Sequence, residues 1–211
     1  MHSISDYLAH IQAPQYQNIP LQLRAGNTWV IWIPEERGDK IAKTPYNARA
    51  LVQTGKYFKA SATKKQSWSS FTHAVKAAQE HNNIGGIGRI LTNGLMQIDL
   101  DHSYNRETGE THPAAREILN MFDTNAELSP TDGLHIFPLA HLPEGAKNTY
   151  YYKGIKVELY DAGRYTTVTG ISVPGQPHIP VLKDQQAQVI TLVERLETWE
   201  KENTGVCVCV A

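Results

Sequence analysis

The chain has 211 residues, of which 41% are hydrophobic and 19% are charged, and this composition excludes a disordered or low-complexity protein. No apolar run approaches the roughly 18 residues that a membrane span requires, and the N-terminal segment lacks the basic region and apolar stretch of a signal peptide. The two cysteines, Cys207 and Cys209, are too close in sequence for a disulfide framework. We therefore expect a cytoplasmic protein of one domain or slightly more, with no membrane partner.

The net charge of −1 hides a strongly basic segment between residues 37 and 65. This segment has a single acid, Asp39, against eight basic side chains: Arg37, Lys40, Lys43, Arg49, Lys56, Lys59, Lys64 and Lys65. A local surplus of this size is typical of a surface that binds phosphates, although a solvated, lysine-rich loop has the same composition. Both interpretations remain open on charge alone.

The first half of the chain mixes helical and extended patterns. The predicted elements are a short amphipathic helix at 1–12, a strand at 28–34, a functional loop or short hairpin within 35–66 and a helix at 68–83. We expect the strand to end at Pro34, and Ser69 or Ser70 to cap the helix that follows. The segment before this helix is too long for a passive connection.

The second half continues this mixture without strict alternation. It predicts a hairpin at 85–101, a helix at 113–122, two strands within 126–140, two strands within 154–170 and a helix at 184–203. Asn93-Gly94 is a strong signal for a two-residue hairpin turn, and Asp161 to Gly163 separate the last two strands. These patterns favour an α+β fold with a largely antiparallel or mixed sheet.

The run "QIDLD" ends in two aspartates separated by one leucine. Because alternate residues of a strand face one way, Asp99 and Asp101 point to the same side and repel each other unless a cation lies between them. A divalent metal ion would supply that cation. The alternative is an ordinary strand end that runs into a polar turn.

Three further residues bear on this pair. Glu158 alternates with the apolar Val157 and Leu159, so it is either a solvent-facing acid or the third carboxylate of a site for Mg²⁺ or Mn²⁺. His135 follows a glycine turn and faces away from the core, as an exposed strand histidine or as a donor to phosphate. Arg164 can bind a phosphate with two parallel hydrogen bonds.

These residue types together permit one specific reaction. Two metal ions about 3.5–4 Å apart can activate a 3′-hydroxyl and stabilise a pyrophosphate leaving group. Basic side chains would neutralise the triphosphate of the incoming nucleotide. No nucleophile motif such as G-x-S-x-G occurs, and this reaction needs none.

The order of motifs from about residue 28 to 170 resembles the primase–polymerase domain of the archaeo-eukaryotic primase superfamily, in the versions found in phages and plasmids. The resemblance is carried by the segments "WVIW", "KTPYN", "KASAT", "WSSF", "GIGRILT", "IDLDH", "AREIL", "SPTDGLHIF" and "VELYDAGRYTTVTG". It implies an RRM-like sheet that carries the acids and packs on a smaller α/β module.

The resemblance also implies roles for individual residues. Its acidic pair matches Asp99 and Asp101, its small-x-His motif matches Gly133 to His135, and its third acid matches Glu158; the acids hold two divalent ions, and the histidine contacts the phosphates of the nucleotide. The implied nucleotide-binding residues are His135, Arg164, Lys43, Ser129 and Thr166. The residues expected to bind nucleic acid are Lys40, Lys59, Lys64 and Lys65.

Two features depart from the family pattern. The segment "SPTDGLH" is one residue shorter than its counterpart, which puts the contribution of Ser129 in question. No phosphate-binding loop of the G-x-x-x-x-G-K-[ST] type occurs, so we expect any unwinding to come from a separate helicase. The predicted organisation is an N-terminal helix and lead-in at 1–27, the catalytic domain at 28–180, a C-terminal helix at 181–203 and a tail at 204–211.

The predicted function is that of a DNA primase or polymerase acting on single-stranded template, primer and nucleoside triphosphates, in a prokaryotic or phage-infected cell. Two alternatives remain at this point. One is a catalytically idle module that binds single-stranded nucleic acid, and the other is a different two-metal enzyme such as a nuclease.

Overall fold

Two antiparallel sheets organise residues 3–203, the part of the chain that the computed structural model describes. The helices are α1 (Ile4–His10), α2 (Leu21–Arg24), α3 (Ala48–Thr54), α4 (Phe71–Glu80), α5 (Pro113–Leu119) and α6 (Gln186–Asn203). The predicted α+β class is therefore confirmed. Cys207, Cys209 and the predicted tail at 204–211 lie outside the described residues.

The strands divide between one sheet of four strands, one of five and a small ribbon of two. They are β1 (Trp29–Arg37), β2 (Lys40–Tyr46), β3 (Gly86–Ile90), β4 (Gln97–Asp101), β5 (Tyr104–Asn105), β6 (Glu110–Thr111), β7 (Asn125–Leu128), β8 (Leu134–Phe137), β9 (Thr149–Tyr152), β10 (Ile155–Tyr160) and β11 (Tyr165–Val168). The four-stranded sheet has the order β11-β3-β1-β2, and the five-stranded sheet has the order β7-β8-β4-β10-β9. The strands β5 and β6 form the ribbon.

The predicted end of the first strand at Pro34 is wrong, because β1 continues to Arg37. Proline lacks an N–H and is tolerated in a strand where one flank is unpaired. β1 pairs with β3 only between Trp29 and Trp32, whereas its pairing with β2 runs on to Arg37. Pro34 thus lies in the half of β1 that has a single neighbour, and the predicted short hairpin within 35–66 is the β1–β2 hairpin.

The hairpin predicted at 85–101 is also wrong. Asn93 and Gly94 do adopt positive φ angles of 58° and 75°, as the turn signal requires. The strands on either side nevertheless separate, since β3 pairs with β1 and β11 while β4 pairs with β8 and β10. Their apolar residues belong to different cores, with Ile87 in one and Ile98 in the other. Burial of those faces, and not the local turn, decides the pairing.

Each sheet is covered on one face by helices. The side chains of α3 and α4 pack with the four-stranded sheet, together with Ile19 and Leu23 from the lead-in. The five-stranded sheet buries its apolar face against α5 and α6, whose stripe includes Val189, Leu192 and Leu196. The opposite face of the five-stranded sheet remains available for polar side chains.

The predicted helices are present, with bounds that differ slightly from the patterns. The helix expected at 68–83 is α4, and Ser70 is its cap because its hydroxyl accepts a hydrogen bond from the His73 N–H. The helices expected at 113–122 and 184–203 are α5 and α6. Among the described residues, no helix combines the length and apolar character needed to cross a membrane.

Candidate metal and nucleotide site

Two adjacent inner strands of the five-stranded sheet bring the three predicted metal ligands together. β4 and β10 are antiparallel, and their register places Glu158 opposite Asp99. Strand alternation then puts Asp101 on the same face. One carboxylate oxygen from each of Asp99, Asp101 and Glu158 lies within 4.8 Å of the others, and all three residues are half-buried. We call these three residues the acidic triad.

The donor set of the acidic triad suits a hard divalent cation. Three carboxylates offer only oxygen ligands, which favour Mg²⁺ or Mn²⁺ over zinc. Burial raises the pKa of the Asp99 carboxyl, and the like charges of Asp101 and Glu158 raise it as well, against the opposing effects of His135 and Lys43. A cation between these carboxylates would relieve that repulsion.

His135 faces away from the apolar core that holds Leu134 and Ile136, as predicted, but it is buried beside the triad, so the alternative of an exposed strand histidine is wrong. The ring lies on β8 and is 3% exposed, with Nε2 at 3.7 Å from Asp99 Oδ1 and Nδ1 at 3.5 Å from Glu127 Oε1. β7 contributes this second carboxylate, because Glu127 is opposite His135 in the β7–β8 pair. Tertiary pairing, which alternation alone does not reveal, encloses the ring between two acids.

Glu127 was not identified from the sequence. Its carboxylate is 2% exposed and accepts hydrogen bonds from the backbone N–H groups of Thr169 (2.9 Å) and Gly170 (2.8 Å). It therefore joins the strand that precedes His135 to the segment that follows β11. An acid between the apolar Ala126 and Leu128 of a strand was the available signal.

The turn before His135 requires a small residue. A Cβ at Gly133 would lie 2.8 Å from the carbonyl oxygen of Leu100, closer than real side chains approach. The Ser129 hydroxyl accepts hydrogen bonds from the N–H groups of Gly133 (2.9 Å) and Thr131 (3.3 Å). Arg106, which the sequence analysis did not identify, donates to the carbonyls of Ser129 (3.1 Å) and Pro130 (2.7 Å). Ser129 thus shapes the turn, and its predicted contact with nucleotide stays a prediction.

The four-stranded sheet supplies basic side chains that face the triad. A cavity of about 310 Å³ lies between the sheets, and its lining includes Lys43, Arg164 and Thr166 together with Asp99, Gln97, His135, Glu158 and Tyr160. Burial lowers the pKa of Lys43, while Asp99 and Asp101 raise it. The Arg164 guanidinium lies 3.9 Å from the centre of the Tyr160 ring. Residues of two different sheets therefore meet at one cavity.

A larger cavity of about 930 Å³ shares Lys43 and Arg164 with the first. Its lining also includes Lys40 and Asp101. Of the residues predicted to bind nucleic acid, only Lys40 belongs to this lining. The ammonium of Lys59 pairs with Glu35 at 2.9 Å, and Lys64 and Lys65 are exposed at the short 3-10 helix Lys65–Ser67.

Lys156 is a further residue of the site that the sequence patterns did not single out. It lies opposite Asp101 in the β4–β10 pair, and its ammonium is 3.1 Å from Asp101 Oδ2 and 3.1 Å from Glu158 Oε1. Because Lys156 and Glu158 are two residues apart in one strand, they share a face. Alternation in "KVE" was a sufficient signal for this position.

The chain is similar to a curated protein from Nitratiruptor phage NrS-1 that is described as a DNA primase-polymerase. The two sequences are 33% identical over 158 residues, which are 73% of this chain and 20% of the phage protein. This chain thus spans about a fifth of the length of the relative it matches. No protein-family model matches the chain. The similarity confirms the resemblance that the motifs indicate.

Proposed function

We propose that this chain, a member of the primase–polymerase family of the mobile-element type, is a template-dependent nucleotidyltransferase that makes or extends DNA primers. The observation that carries the proposal is the meeting of the acidic triad with His135, Arg164 and Lys43. Asp99 and Glu158 line one cavity with these three residues, and Asp101 lines the adjoining cavity that shares Lys43 and Arg164. Carboxylates and phosphate-binding groups on opposite walls match the two parts of a metal-bound nucleoside triphosphate.

Asp99, Asp101 and Glu158 would hold two divalent ions, Mg²⁺ or Mn²⁺. When bound, such ions would activate the attacking 3′-hydroxyl and stabilise the negative charge of the pyrophosphate that leaves. The chain itself fixes the three carboxylates on paired strands, so that little reorganisation is needed when the ions arrive. The raised pKa of Asp99 is consistent with a carboxylate that is stabilised as an anion when a cation binds.

The basic side chains would bind and orient the triphosphate. Arg164 and Lys43 reach the cavity from the four-stranded sheet, and His135 reaches it from the five-stranded sheet. Thr166 would add a hydroxyl contact to the nucleotide. Ser129 would hold the turn before His135 in place. A nuclease has no need of three groups for a triphosphate, and this difference favours a nucleotide-joining enzyme over that alternative.

Template and primer would occupy the larger cavity and the basic segment at residues 37–65. Lys40 lines this cavity, and Lys59, Lys64 and Lys65 extend the positive surface along the same segment of chain. Single-stranded nucleic acid binds to such surfaces through its phosphates. A separate helicase would supply unwinding, and the cytoplasm of a prokaryotic or phage-infected cell would supply nucleotides.

The two sheets correspond to the two modules that the resemblance implies. The five-stranded sheet would be the RRM-like part, and the four-stranded sheet with α3 and α4 would be the smaller module. We retain the predicted organisation of lead-in at 1–27, catalytic domain at 28–180 and C-terminal helix at 181–203. The packing of α6 on β9 is consistent with a helix that supports the domain.

The test is a pair of assays on single-stranded DNA, one with a primer and one without, in Mg²⁺ or Mn²⁺. The native chain is compared with a variant that carries Asp99→Asn and Asp101→Asn. Incorporation of nucleotide and release of pyrophosphate are expected only from the native chain. Products without a primer would assign primase activity, and products that need a primer would assign polymerase activity.

Two other outcomes would contradict the proposal. Shortening of the DNA without nucleotide incorporation would indicate a nuclease. Equal binding of single-stranded DNA by both proteins, with no reaction in either metal, would indicate a module that only binds nucleic acid. Circular dichroism of the variant shows whether the fold is retained, so loss of activity is not confused with unfolding.

A further inference from the structure

The position of Lys156 raises a question about how the acidic triad takes up metal ions. Its ammonium lies 3.1 Å from oxygens of both Asp101 and Glu158, which are two of the three predicted ligands. The strand register fixes this placement, because Lys156 is directly opposite Asp101 and shares a face with Glu158. The side chain is about one third exposed, so the contact is held within the site.

Lys156 makes direct ion pairs with two acids of the triad, Asp101 and Glu158. Lys43 and His135 both act on Asp99, whose carboxyl pKa they lower. Lys156 is thus the counterion for one side of the triad.

We propose that Lys156 is an internal counterion that competes with divalent metal ions for Asp101 and Glu158, and so sets the metal affinity of the site. This inference rests on the proposed metal-dependent function. A carboxylate oxygen that accepts a hydrogen bond from an ammonium has less charge to offer a metal ion, and the ammonium repels a divalent cation a few ångströms away.

The ammonium of Lys156 has space nearby into which it can move when metal ions displace it. Lys156 lines the cavity of about 930 Å³ that also contains Lys40 and Arg164. A lysine side chain has four rotatable bonds and can reorient into this space without moving the strand. The ammonium of Lys156, once displaced by the metal ions, would then form ion pairs with phosphates bound in that cavity.

The experiment measures binding of Mn²⁺ alone, without nucleotide or DNA, by the paramagnetic resonance signal of the free ion. Lys156→Met keeps the length of the side chain and removes its charge, and Lys156→Arg keeps the charge. We expect Lys156→Met to bind Mn²⁺ about tenfold more tightly, because a like charge about 4 Å away is removed. Lys156→Arg is expected to stay within about twofold of the native affinity on the same argument.

Lys147→Met is the matched control. Lys147 also pairs with a carboxylate, at 2.6 Å from Glu200 Oε2, but that pair lies outside the acidic triad. Its removal is expected to leave Mn²⁺ affinity unchanged. Thermal unfolding in a chelator provides a second measurement: Lys156→Met should lower the melting temperature of the metal-free protein more than Lys147→Met, and added Mn²⁺ should reverse the loss.

Unchanged or weaker Mn²⁺ binding by Lys156→Met would overturn the inference, as would equal effects of the methionine and arginine variants. Absence of Mn²⁺ binding by the native chain would overturn the inference and the metal-dependent function together. Tighter binding by Lys156→Met in a chain that incorporates no nucleotide would support the inference and contradict the polymerase proposal. The two can therefore fail separately.

Discussion

Two clusters built around carboxylates lie on different sheets, and they differ in how completely their acids are partnered. Glu35 on β1 accepts hydrogen bonds from the hydroxyls of Thr44 and Tyr46 and from the ammonium of Lys59. These hydrogen bonds lower the pKa of the Glu35 carboxyl to about 2, and those from Tyr46 and Lys59 have the largest effects. In the acidic triad, burial raises the pKa of Asp99 instead.

The contrast distinguishes an acid with a structural role from one that we propose binds a metal ion. An acid surrounded by donors is stable as an anion and holds the β1–β2 hairpin together. An acid that is buried among other acids is costly as an anion until a cation binds. A count of acidic residues would treat Glu35 and Asp99 alike, whereas the direction of the pKa shift distinguishes them.

The largest expected effect comes from removing one charge of the triad while keeping its shape. Glu158→Gln should lower the rate of nucleotide incorporation by at least about a hundredfold, because a fixed charge at the reacting centre is lost. Glu35→Gln, the matched change in the other cluster, should leave this rate within about twofold. Primer extension at saturating nucleotide measures both. Similar losses in the two variants would contradict the distinction between the clusters.

A smaller effect is expected at the basic wall of the cavity. Arg164→Ala should raise the KM for nucleotide by about ten- to a hundredfold, since hydrogen bonds between charged groups contribute about 1.5–3 kcal/mol. Arg195→Ala on α6, in a separate groove, is the control and should leave the KM unchanged. Steady-state extension kinetics at varied nucleotide concentration separate KM from kcat. A fall in kcat with an unchanged KM would contradict a role in nucleotide binding.

The two clusters should respond to pH with opposite signs. The pKa of Asp99 is higher in the folded protein than in the unfolded chain. As pH rises from the unfolded pKa to the folded pKa, the native metal-free protein therefore loses stability relative to Asp99→Asn. Glu35 has a depressed folded pKa, so its advantage over Glu35→Gln is present above the unfolded pKa and is lost as pH falls toward about 2. Urea unfolding in a chelator, at a series of pH values, measures both differences. Slopes of the same sign would contradict the comparison.

The smallest effects concern the basic segment. Lys59 is paired with Glu35, whereas Lys64 and Lys65 are exposed beside the 3-10 helix. Joint replacement of Lys64 and Lys65 by alanine should weaken binding of single-stranded DNA and reduce its salt dependence by about 0.7 in slope per lost phosphate contact. Lys59→Ala should change DNA binding less, because its charge is already partnered. Titration of a labelled oligonucleotide at several salt concentrations tests whether the double replacement weakens DNA binding more than Lys59→Ala does.

The sequence pattern was most informative where the two-residue period of a strand is enough to predict which face a side chain occupies. Alternation along "QIDLD" and "KVELY" placed three acids on strand faces that the structure brings together. The same alternation places Lys156 on the face of Glu158, although lysines are also common on exposed strand faces. Helix positions followed from apolar periodicity and capping residues, with ends that differ by a few residues.

The sequence by itself determined the α+β class, the faces on which the acids lie and the resemblance to a primase–polymerase. Only the tertiary structure decided that "GGIGRILTNGLMQIDLD" divides between two sheets, that His135 is buried between Asp99 and Glu127, and that Lys156 pairs with two acids of the triad. The physical reason is range: turn signals and alternation act over a few residues, whereas strand pairing and burial depend on apolar faces far apart in the chain.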